Sequence, residues 1–291
     1  MNIVIHGIGF QIEFIPIIER LFQILESKKI KFSLTESFSK SLKKIDFDTK
    51  GFHVLPKNPS FSGIDFIISV GGDGTLLDSV CLVGTAEIPI IGINTGRLGF
   101  LATVAKEDIE NAIIGLLEGD YSIESRSLLS LDSDHLLFNG LNFGLNEFTI
   151  HKRDTSSMIT VHTYINGQYL NSYWADGLIV STPTGSTGYS LSCGGPLITP
   201  GARNFVITPV SPHNLNVRPI VVSDESEISF EIEGRSEKFL ISLDSRSTAI
   251  DASIKLKVKK AEFSAKLVKF ADYGYFDTLR NKLNWGFDMR N

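Results

Sequence analysis

The chain has 291 residues, of which 42% are hydrophobic and 21% are charged, and its formal net charge is −5. This composition excludes an intrinsically disordered chain, and the length favours two domains over one. An isoelectric point near 5.7 argues against a nucleic-acid-binding protein, which normally presents a basic face.

Strand and helix patterns alternate along the first 120 residues. Short apolar runs predict strands at Ile3–His6, Phe52–Leu55, Ile64–Val70 and Ile88–Ile93. Apolar residues at helical spacing predict helices over Ile15–Leu25 and Ile109–Leu117, and Gly119 stands where a glycine commonly ends a helix. Strands that alternate with helices indicate a parallel sheet, so we predict an α/β domain over residues 1–120.

The apolar pattern changes from helical to alternating after about residue 120. Ile159–Ile165 alternates, and the following Asn166-Gly167 is typical of a type I′ hairpin turn. Further candidate strands are Ile228–Ile232, Phe239–Leu243, Leu256–Val258 and Phe263–Phe270. We therefore predict a β-rich domain over residues 121–275. A helical pattern resumes at Phe276, and we expect a C-terminal helix within residues 276–291 that packs back on the first domain.

The loop Gly71-Gly72-Asp73-Gly74-Thr75 directly follows the predicted strand Ile64–Val70. Its glycines allow a close approach to a ligand, and open α/β sheets bind ligands at the carboxyl ends of their strands. The loop is neither a dinucleotide fingerprint nor a P-loop. A carboxylate between glycines can reach a ligand hydroxyl, so Asp73 is a candidate catalytic residue. The alternative is a tight turn in which Asp73 only caps the backbone.

The segment Thr182–Pro196 follows the apolar run Leu178–Val180 and consists mainly of Ser, Thr and Gly. It offers many hydrogen-bonding groups, and Tyr189 adds an aromatic face for a base or another ring. A solvated surface loop is the alternative interpretation. Tyr189 and Leu191 interrupt the polarity, however, which favours a binding segment in which we expect a nucleotide to contact both this segment and the Gly71–Thr75 loop.

Two shorter features lie on predicted strands of the second domain. Asn146-Glu147 is interpreted as part of an alternating strand, which would direct one side chain to each face of the sheet. Asp176 precedes the Leu178 strand. Each feature could equally be a solvated part of a strand. The histidines lack the spacing of a zinc site, and His151 and His162 are interpreted as ordinary strand residues.

Membrane and secretory features are missing from the sequence pattern. The apolar runs are far shorter than the roughly 18 residues of a membrane helix, and the N-terminus lacks the basic leader of a signal peptide. The two cysteines, Cys81 and Cys193, are isolated, which indicates a reducing compartment. We therefore expect a cytoplasmic protein with neither membrane nor nucleic-acid partners.

Taken together, these motifs resemble the NAD kinase family over most of the chain. The resemblance rests on the ordered set Gly71–Thr75, Ile91–Leu101, Asn146-Glu147, Ala175–Gly177, Thr182–Pro196 and Arg218-Pro219. The first loop alone is shared with diacylglycerol and sphingosine kinases, whereas the ordered set is specific. The resemblance implies an N-terminal Rossmann-like domain, a C-terminal β-sandwich-like domain, and phosphorylation of the 2′-hydroxyl of the adenosine ribose of NAD.

The resemblance also implies roles for individual residues. Asp73 would be the base that faces the 2′-hydroxyl, with Gly74 beside it. Asn146 and Glu147 would contact the adenosine half of NAD, and Asp176 would reach a nicotinamide end, in the same or a neighbouring subunit. The other NAD contacts would be Trp174, Thr184, Thr187, Gly188, Tyr189, Ser190, Leu191 and Ser192. Further candidate contacts are Asp78, Ser211 and Arg246.

Four positions depart from the family pattern. Asp78 stands where many members carry Arg, and Trp174 stands where a basic residue is common. Gly188 replaces a usual Ala, and Ser245-Arg246 replaces a Gly followed by a polar amide. The first two departures remove positive charge near the expected phosphates, so both ATP and polyphosphate stay open as donors.

The implied partners follow from this chemistry. NAD and ATP, or polyphosphate, would be the substrates, and the divalent cation, Mg²⁺, would be carried mainly by the ATP phosphates and not by a dedicated protein site. The family resemblance implies a homodimer or a homotetramer. Two alternatives remain: a lipid kinase, which would need a basic or amphipathic face, and a non-catalytic NAD(H) sensor, which could dispense with Asp73.

Overall fold

The computed structural model describes residues 1–96, 99–153, 157–271 and 274–285. The chain divides into two compact units: unit 1 is Met1–Ser125 with Ala265–Asn291, and unit 2 is Arg126–Ser264. Residues 97 and 98 of the Ile91–Leu101 motif, and residues 286–291 of the predicted C-terminal helix, lie outside the described residues.

Unit 1 begins with an alternation of strands and helices. The strands are β1 (Asn2–His6), β2 (Lys31–Leu34), β3 (Phe66–Gly71), β4 (Ile90–Asn94) and β5 (Val104–Ala105). The helices are α1 (Ile15–Ser27), α2 (Glu36–Lys43), α3 (Asp73–Val83) and α4 (Ile109–Glu118). The strands pair in the order β2-β1-β3-β4-β5, and every pair is parallel. The predicted α/β domain with a parallel sheet is therefore confirmed.

The sheet of unit 1 is covered on both faces. Every residue of β3 and β4 is buried, which is typical of strands in parallel sheets. Helix α1 buries Ile18, Leu21 and Leu25 at helical spacing. Gly119 ends α4 in the left-handed conformation with a φ of +78°, as the sequence predicts.

The segment between α1 and β3 differs from the prediction. Strand β2 and helix α2 were not predicted, because four and eight residues are too short to show a period. Conversely, the predicted strand Phe52–Leu55 forms only one bridge, between Val54 and Leu34. The pairing cannot continue beyond Leu55, because Pro56, which follows it, has no backbone N–H.

Unit 2 consists almost entirely of antiparallel strands. The chain enters it along β6 (Ser122–Ser133) and continues through β7 (Phe143–Gly144), β8 (Glu147–Lys152), β9 (Ile159–Ile165), β10 (Gln168–Ala175) and β11 (Gly177–Ser181). After the short helix α5 (Tyr189–Ser192) come β12 (Asn204–Val210), β13 (Ile220–Ser223), β14 (Ile228–Glu233), β15 (Lys238–Leu243), β16 (Arg246–Asp251) and β17 (Leu256–Lys269).

The strands of unit 2 form two groups with a shared core. One sheet has the order β13-β12-β11-β8-β15-β16, and the other group has the order β10-β9-β14 followed by the beginning of β17. Phe148 of the first sheet packs against Phe230 of the second group, with ring centroids 5.8 Å apart. The predicted β-sandwich-like fold is therefore confirmed.

The predicted hairpin turn of unit 2 is present. Asn166 and Gly167 both have positive φ, +51° and +77°, and they join β9 to β10 as the predicted type I′ hairpin. The turn at Gly234 does not make a hairpin, because β14 and β15 belong to the two different groups of strands.

The chain returns to unit 1 through the end of β17, where Leu267 pairs with Ile90 of β4. Helix α6 (Tyr275–Leu283) follows, and it buries Leu279 while Phe276 stays exposed. In the part of the chain that the structure describes, no helix is long and apolar enough to cross a membrane.

Candidate functional site

The Gly71–Thr75 loop joins the end of β3 to the first turn of α3. Gly71 has a φ of +151°, and a Cβ at this position would overlap the side chain of Thr75. Gly72 precedes the helix, and Asp73 is its first residue. The loop therefore requires glycine at Gly71 and presents Asp73 at a helix N-terminus.

The Asp73 carboxylate holds the loop that follows β4. Its Oδ2 accepts the backbone N–H of Phe100 (2.8 Å), and its Oδ1 accepts those of Leu101 (3.1 Å) and Ala102 (3.0 Å). A Cβ at Gly99 would overlap the same carboxylate. Asp73 is partly exposed, between the exposed Gly72 and Gly74. The carboxylate is thus fixed by the backbone and still accessible.

Asp78, a further candidate contact, lies on the same helix and is bonded to a buried histidine. Its Oδ2 lies 2.9 Å from Nε2 of His6, which ends β1, and Nδ1 of His6 lies 3.0 Å from Oγ1 of Thr35. The structure therefore connects Asp78 to the carboxyl end of the neighbouring strand.

The segment Thr182–Pro196 is not a solvated loop. Thr184–Thr187 forms a turn of 3₁₀-helix and is followed by α5. Several hydroxyl side chains are buried and bonded internally: Ser186 donates to Pro183 O (2.7 Å), and Ser190 pairs with Thr208 (2.8 Å). Thr184 accepts a hydrogen bond from Arg126 (3.3 Å). Thr184 and Ser190 therefore hold the segment in place, whereas Thr187, Leu191 and Ser192 are partly or fully exposed.

Asn146 and Glu147 lie at the start of β8, not inside a strand. Glu147 is the first residue of β8, and Asn146 precedes it. The backbone carbonyl of Asn146 accepts the N–H of Thr182 (2.9 Å), which continues the register of β8 with β11 by one residue. The pair therefore lies at the beginning of the strand and not in its interior, and the expectation of one side chain on each sheet face stays a prediction.

Two glycines let the Thr182–Pro196 segment pack closely against this pair. A Cβ at Gly185 would overlap the backbone of Asn146. A Cβ at Gly188 would lie 3.0 Å from Oε2 of Glu147. The departure at Gly188 thus has a physical consequence, since an alanine there would press on the Glu147 carboxyl group.

Glu147 is a strongly perturbed carboxyl group of this site. Burial, and then the nearby negative charge of Asp244, raise the pKa of Glu147 to about 7, although the backbone N–H of Tyr189 opposes this shift. Its Oε2 is buried and has no hydrogen-bond partner among the described residues. A buried carboxylate oxygen without a partner, with a pKa near neutrality, is typical of a functional site.

An aromatic and charged group lies beside Glu147. The ring of Tyr189 stacks on that of His151, with centroids 5.5 Å apart and planes at 18°. Burial lowers the pKa of His151, and Asp176 opposes this shift. Asp176 forms an ion pair with Lys152. His151 and Lys152 were not predicted as site residues, because nothing in their spacing distinguishes them from other strand residues.

The remaining candidate contacts are placed as follows. Trp174 is half-exposed, and its ring lies 4.2 Å from that of His213. Ser211 is exposed and has a φ of +46°. Arg246 donates to the backbone carbonyls of Leu141 and Phe143 and is thus engaged by the protein itself.

Sequence reasoning missed Asp244. Its carboxylate accepts the backbone N–H groups of Leu145, Asn146 and Glu147. The available signal was the position of Asp244 in a short turn between two alternating segments, directly before the departure Ser245-Arg246. Within the described ranges, no group of three or more His, Cys, Asp or Glu side chains is arranged to hold a metal ion.

Two family models match the chain. The ATP-NAD kinase N-terminal domain matches residues 3–121, and the ATP-NAD kinase C-terminal domain matches residues 145–270. The chain is 54% identical over 292 residues to a protein of Cytophaga hutchinsonii named NAD kinase, and 44% identical over 294 residues to one of Flavobacterium johnsoniae with the same name. Each of these two alignments covers 100% of both chains.

Solved structures share the fold. Yeast NADH kinase complexed with NADH superposes with a TM-score of 0.85 at 20% identity, and the match covers 100% of this chain and 89% of that one. An NAD kinase from Archaeoglobus fulgidus in complex with ATP has a TM-score of 0.77 at 27% identity, with 98% and 99% covered.

Replacing Glu147 by Gln should remove a loss of folding stability that the wild type shows as the pH rises. The pKa of Glu147 is about 7 in the folded chain and 4.5 for an ordinary glutamate, so ionisation favours the unfolded chain progressively between these values. The wild type should lose at most about 3 kcal/mol over this range through Glu147, and Glu147→Gln should not.

Urea unfolding at about pH 5 and about pH 8 measures this difference. Glu237→Gln is the matched control, because Glu237 is an exposed residue of the same unit. If the free energies of unfolding of the wild type and of Glu147→Gln differed by the same amount at both pH values, the raised pKa of Glu147 would be contradicted.

Proposed function

The chain belongs to the NAD kinase family, and from this premise we propose how its residues carry out the family reaction. The enzyme transfers the terminal phosphoryl group of ATP to the 2′-hydroxyl of the adenosine ribose of NAD, and the product is NADP. Family membership decides against the lipid-kinase alternative, which shared only the Gly71–Thr75 loop. It also decides against a non-catalytic sensor.

Asp73 is proposed as the base that receives the proton of the 2′-hydroxyl. A ribose hydroxyl is a poor nucleophile, and phosphoryl transfer depends mainly on positioning and charge neutralisation. The observation that carries this proposal is the fixed carboxylate. A carboxylate has about four acceptor positions, and backbone N–H groups use three of those of Asp73. The remaining position is free to accept from a ribose hydroxyl without reorganisation.

The first turn of α3 is proposed to neutralise charge on the transferred phosphoryl group. The first N–H groups of a helix have no partner within the helix and carry partial positive charge. Gly72 and Gly74 are exposed, and a Cβ at either would meet nothing within 4 Å, so a ligand can approach this backbone closely. Backbone donors would therefore replace the basic side chain expected from the family at Asp78.

NAD recognition is proposed for the site of unit 2. The unpartnered Oε2 of Glu147 would accept a hydrogen bond from a ligand hydroxyl, and Asn146 beside it would bond the adenosine half. Tyr189 offers the exposed face of its ring, and Asp176 would bind a nicotinamide end. The other proposed contacts are Thr187, Gly188, Leu191, Ser192 and Trp174, with Thr184 and Ser190 holding the segment. Contacts of Ser211 and Arg246 with NAD remain predictions.

The divalent cation is proposed to enter as part of the ATP substrate. Mg²⁺ dehydrates reluctantly and is commonly held by substrate phosphates with one or two protein carboxylates. Bound in this way, it would neutralise the triphosphate, while the residues of the chain orient the acceptor hydroxyl. A cytoplasmic location is proposed with it, because ATP and NAD are available there and isolated cysteines suit a reducing compartment.

NADP formation should follow the concentration of MgATP, and calorimetry of the substrate-free protein with MgCl₂ should show no saturable binding. A saturable Mg²⁺ site in the substrate-free protein would contradict delivery by ATP. The same assay with polyphosphate in place of ATP, and with no donor as control, identifies the donor. NADP formed from polyphosphate at a comparable rate would extend the donor range.

A homodimer or homotetramer is proposed, with unit 2 supplying much of the interface. Strand β13 lies at the end of the six-stranded sheet and exposes Ile220 and Val221, and such apolar edges favour pairing with another chain.

Light scattering at micromolar concentration should show a dimer or a larger assembly, and Val221→Lys should weaken this assembly. Ile123→Lys is the matched control, since Ile123 is similarly exposed in unit 1. A fully active monomer would contradict this proposal.

Asp73→Asn should lower kcat by on the order of 10² or more, equivalent to roughly 2.7 kcal/mol, because an amide cannot take the hydroxyl proton. The affinity for NAD should change much less. The melting temperature should fall slightly, because the amide nitrogen would face a backbone N–H that now donates to Asp73.

The kcat, the NAD dissociation constant and the melting temperature are measured together. Asp65→Asn is the control, because the Asp65 carboxylate also accepts a backbone N–H, from Asn2 at 2.7 Å, outside the loop. Near-normal kcat in a well-folded Asp73→Asn protein would exclude the base role and leave Glu147 as the next candidate.

A further inference from the structure

The two-residue turn between β15 and β16 is hydrogen-bonded to the segment that contains Asn146 and Glu147. Leu243 pairs with Arg246, so Asp244 and Ser245 form the turn itself. Asp244 has a φ of +51°, a conformation that Asp tolerates better than most residues. Asp244 has no role in the reaction proposed above.

Three consecutive backbone N–H groups converge on the Asp244 carboxylate. Its Oδ2 accepts from Leu145 (2.9 Å), and its Oδ1 accepts from Asn146 (2.8 Å) and Glu147 (3.1 Å). In return, the backbone N–H of Asp244 donates to the carbonyl of Glu147 (3.0 Å). Hydrogen bonds to a charged acceptor are stronger than neutral ones, so the backbone of this segment is held firmly.

The same turn binds the preceding residues through their carbonyl groups. Arg246 donates to the backbone oxygens of Leu141 and Phe143. Gly144 lies between the two sets of bonds, and a Cβ there would lie 3.1 Å from Oδ1 of Asp244. The Asp244 carboxylate therefore accepts the N–H groups of this segment, and the Arg246 guanidinium donates to its carbonyl groups.

We propose that Asp244 is a positioning residue for NAD recognition, which sets the directions of the Asn146 and Glu147 side chains by holding their backbone. This inference rests on the proposed function, in which these two residues bind NAD. Asp244 does not touch the substrate and acts only through its neighbours. Arg246 contributes by fixing the start of the same segment.

The charge of Asp244 adds an electrostatic effect that a purely structural residue would not have. Glu147 faces the Asp244 carboxylate from the turn and the backbone of Tyr189 from α5. Burial raises the pKa of Asp244, and the three backbone N–H groups and Arg246 oppose this shift by favouring its ionised form. Asp176 acts on Tyr189. His151 of β8 stacks on Tyr189, and Lys152 of β8 pairs with Asp176. Because Asp244 raises the pKa of Glu147, replacing it by a neutral residue should lower that pKa.

The test is the pH dependence of NAD affinity, measured by calorimetry. Glu147 accepts a stronger hydrogen bond from NAD when it is ionised, so wild-type affinity should fall as the pH drops through about 7. Asp244→Asn should weaken NAD binding about tenfold or more, with a smaller loss of kcat at saturating NAD, because an amide donor faces a backbone N–H. It should also move the inflection to lower pH.

Matched variants separate the possible outcomes. Asp251→Asn, an exposed change on β16, should keep both affinity and inflection. Gly144→Ala, which crowds the same carboxylate, should weaken NAD binding to a smaller extent and serves if Asp244→Asn does not fold. Glu147→Gln should abolish the inflection.

Two results would overturn the positioning role: wild-type affinity and pH profile in folded Asp244→Asn, or a lowered melting temperature and affinity with an unmoved inflection. Failure of the proposed function is distinguishable, because Asn146→Ala and Glu147→Gln would then both bind NAD as tightly as the wild type.

Discussion

In each unit, one carboxylate accepts three consecutive backbone N–H groups, and the candidate site of that unit depends on this interaction. Asp73 holds Phe100–Ala102, and Asp244 holds Leu145–Glu147. A loop backbone that does not pair in a sheet must satisfy its N–H groups in another way. A carboxylate is well suited to this, because its two oxygens accept several donors at once and strengthen each bond by their charge.

The two carboxylates differ in what they leave available. Asp73 is partly exposed at a helix N-terminus, so it can both organise a loop and receive a proton. Asp244 lies in a turn with its carboxylate directed to backbone N–H groups, and its effect passes to Glu147 through the backbone and through its charge. The pKa of Glu147 near 7 follows from this enclosure, since burial and a neighbouring negative charge both disfavour its ionised form. The proposed NAD site is therefore expected to respond to pH in the physiological range.

Close packing against Asn146 and Glu147 depends on small residues. Gly185 and Gly188 allow the Thr182–Pro196 segment to approach where a Cβ would meet the Asn146 backbone or the Glu147 carboxyl group. The Ser and Thr hydroxyls of that segment bond to its own backbone, as Ser186 does to Pro183, or to neighbouring elements, as Ser190 does to Thr208 of β12. Buried polar side chains need such partners, and these hydrogen bonds hold the segment in one conformation, unlike a solvated loop.

The sequence by itself determined the features that depend on short-range pattern. Parallel strands interleaved with helices, the Asn166-Gly167 hairpin and the end of α4 at Gly119 all follow from periods and turn residues within a few positions. The ordered motifs, with Asp73, Asn146 and Glu147 among them, were sufficient to indicate the family. Short elements such as β2 and α2 escaped, because they hold too few residues to display a period.

Only the tertiary structure decided how those residues are held and charged. Asp244 meets Asn146 across 98 positions of sequence, and Asp73 meets Leu101 across 28. No local pattern encodes such pairs, because each depends on how separate strands and loops come together. The same reason explains why the stacking of Tyr189 on His151, the unpartnered Oε2 and the raised pKa of Glu147 could not be read from the sequence: burial and neighbouring charge exist only once the chain has folded.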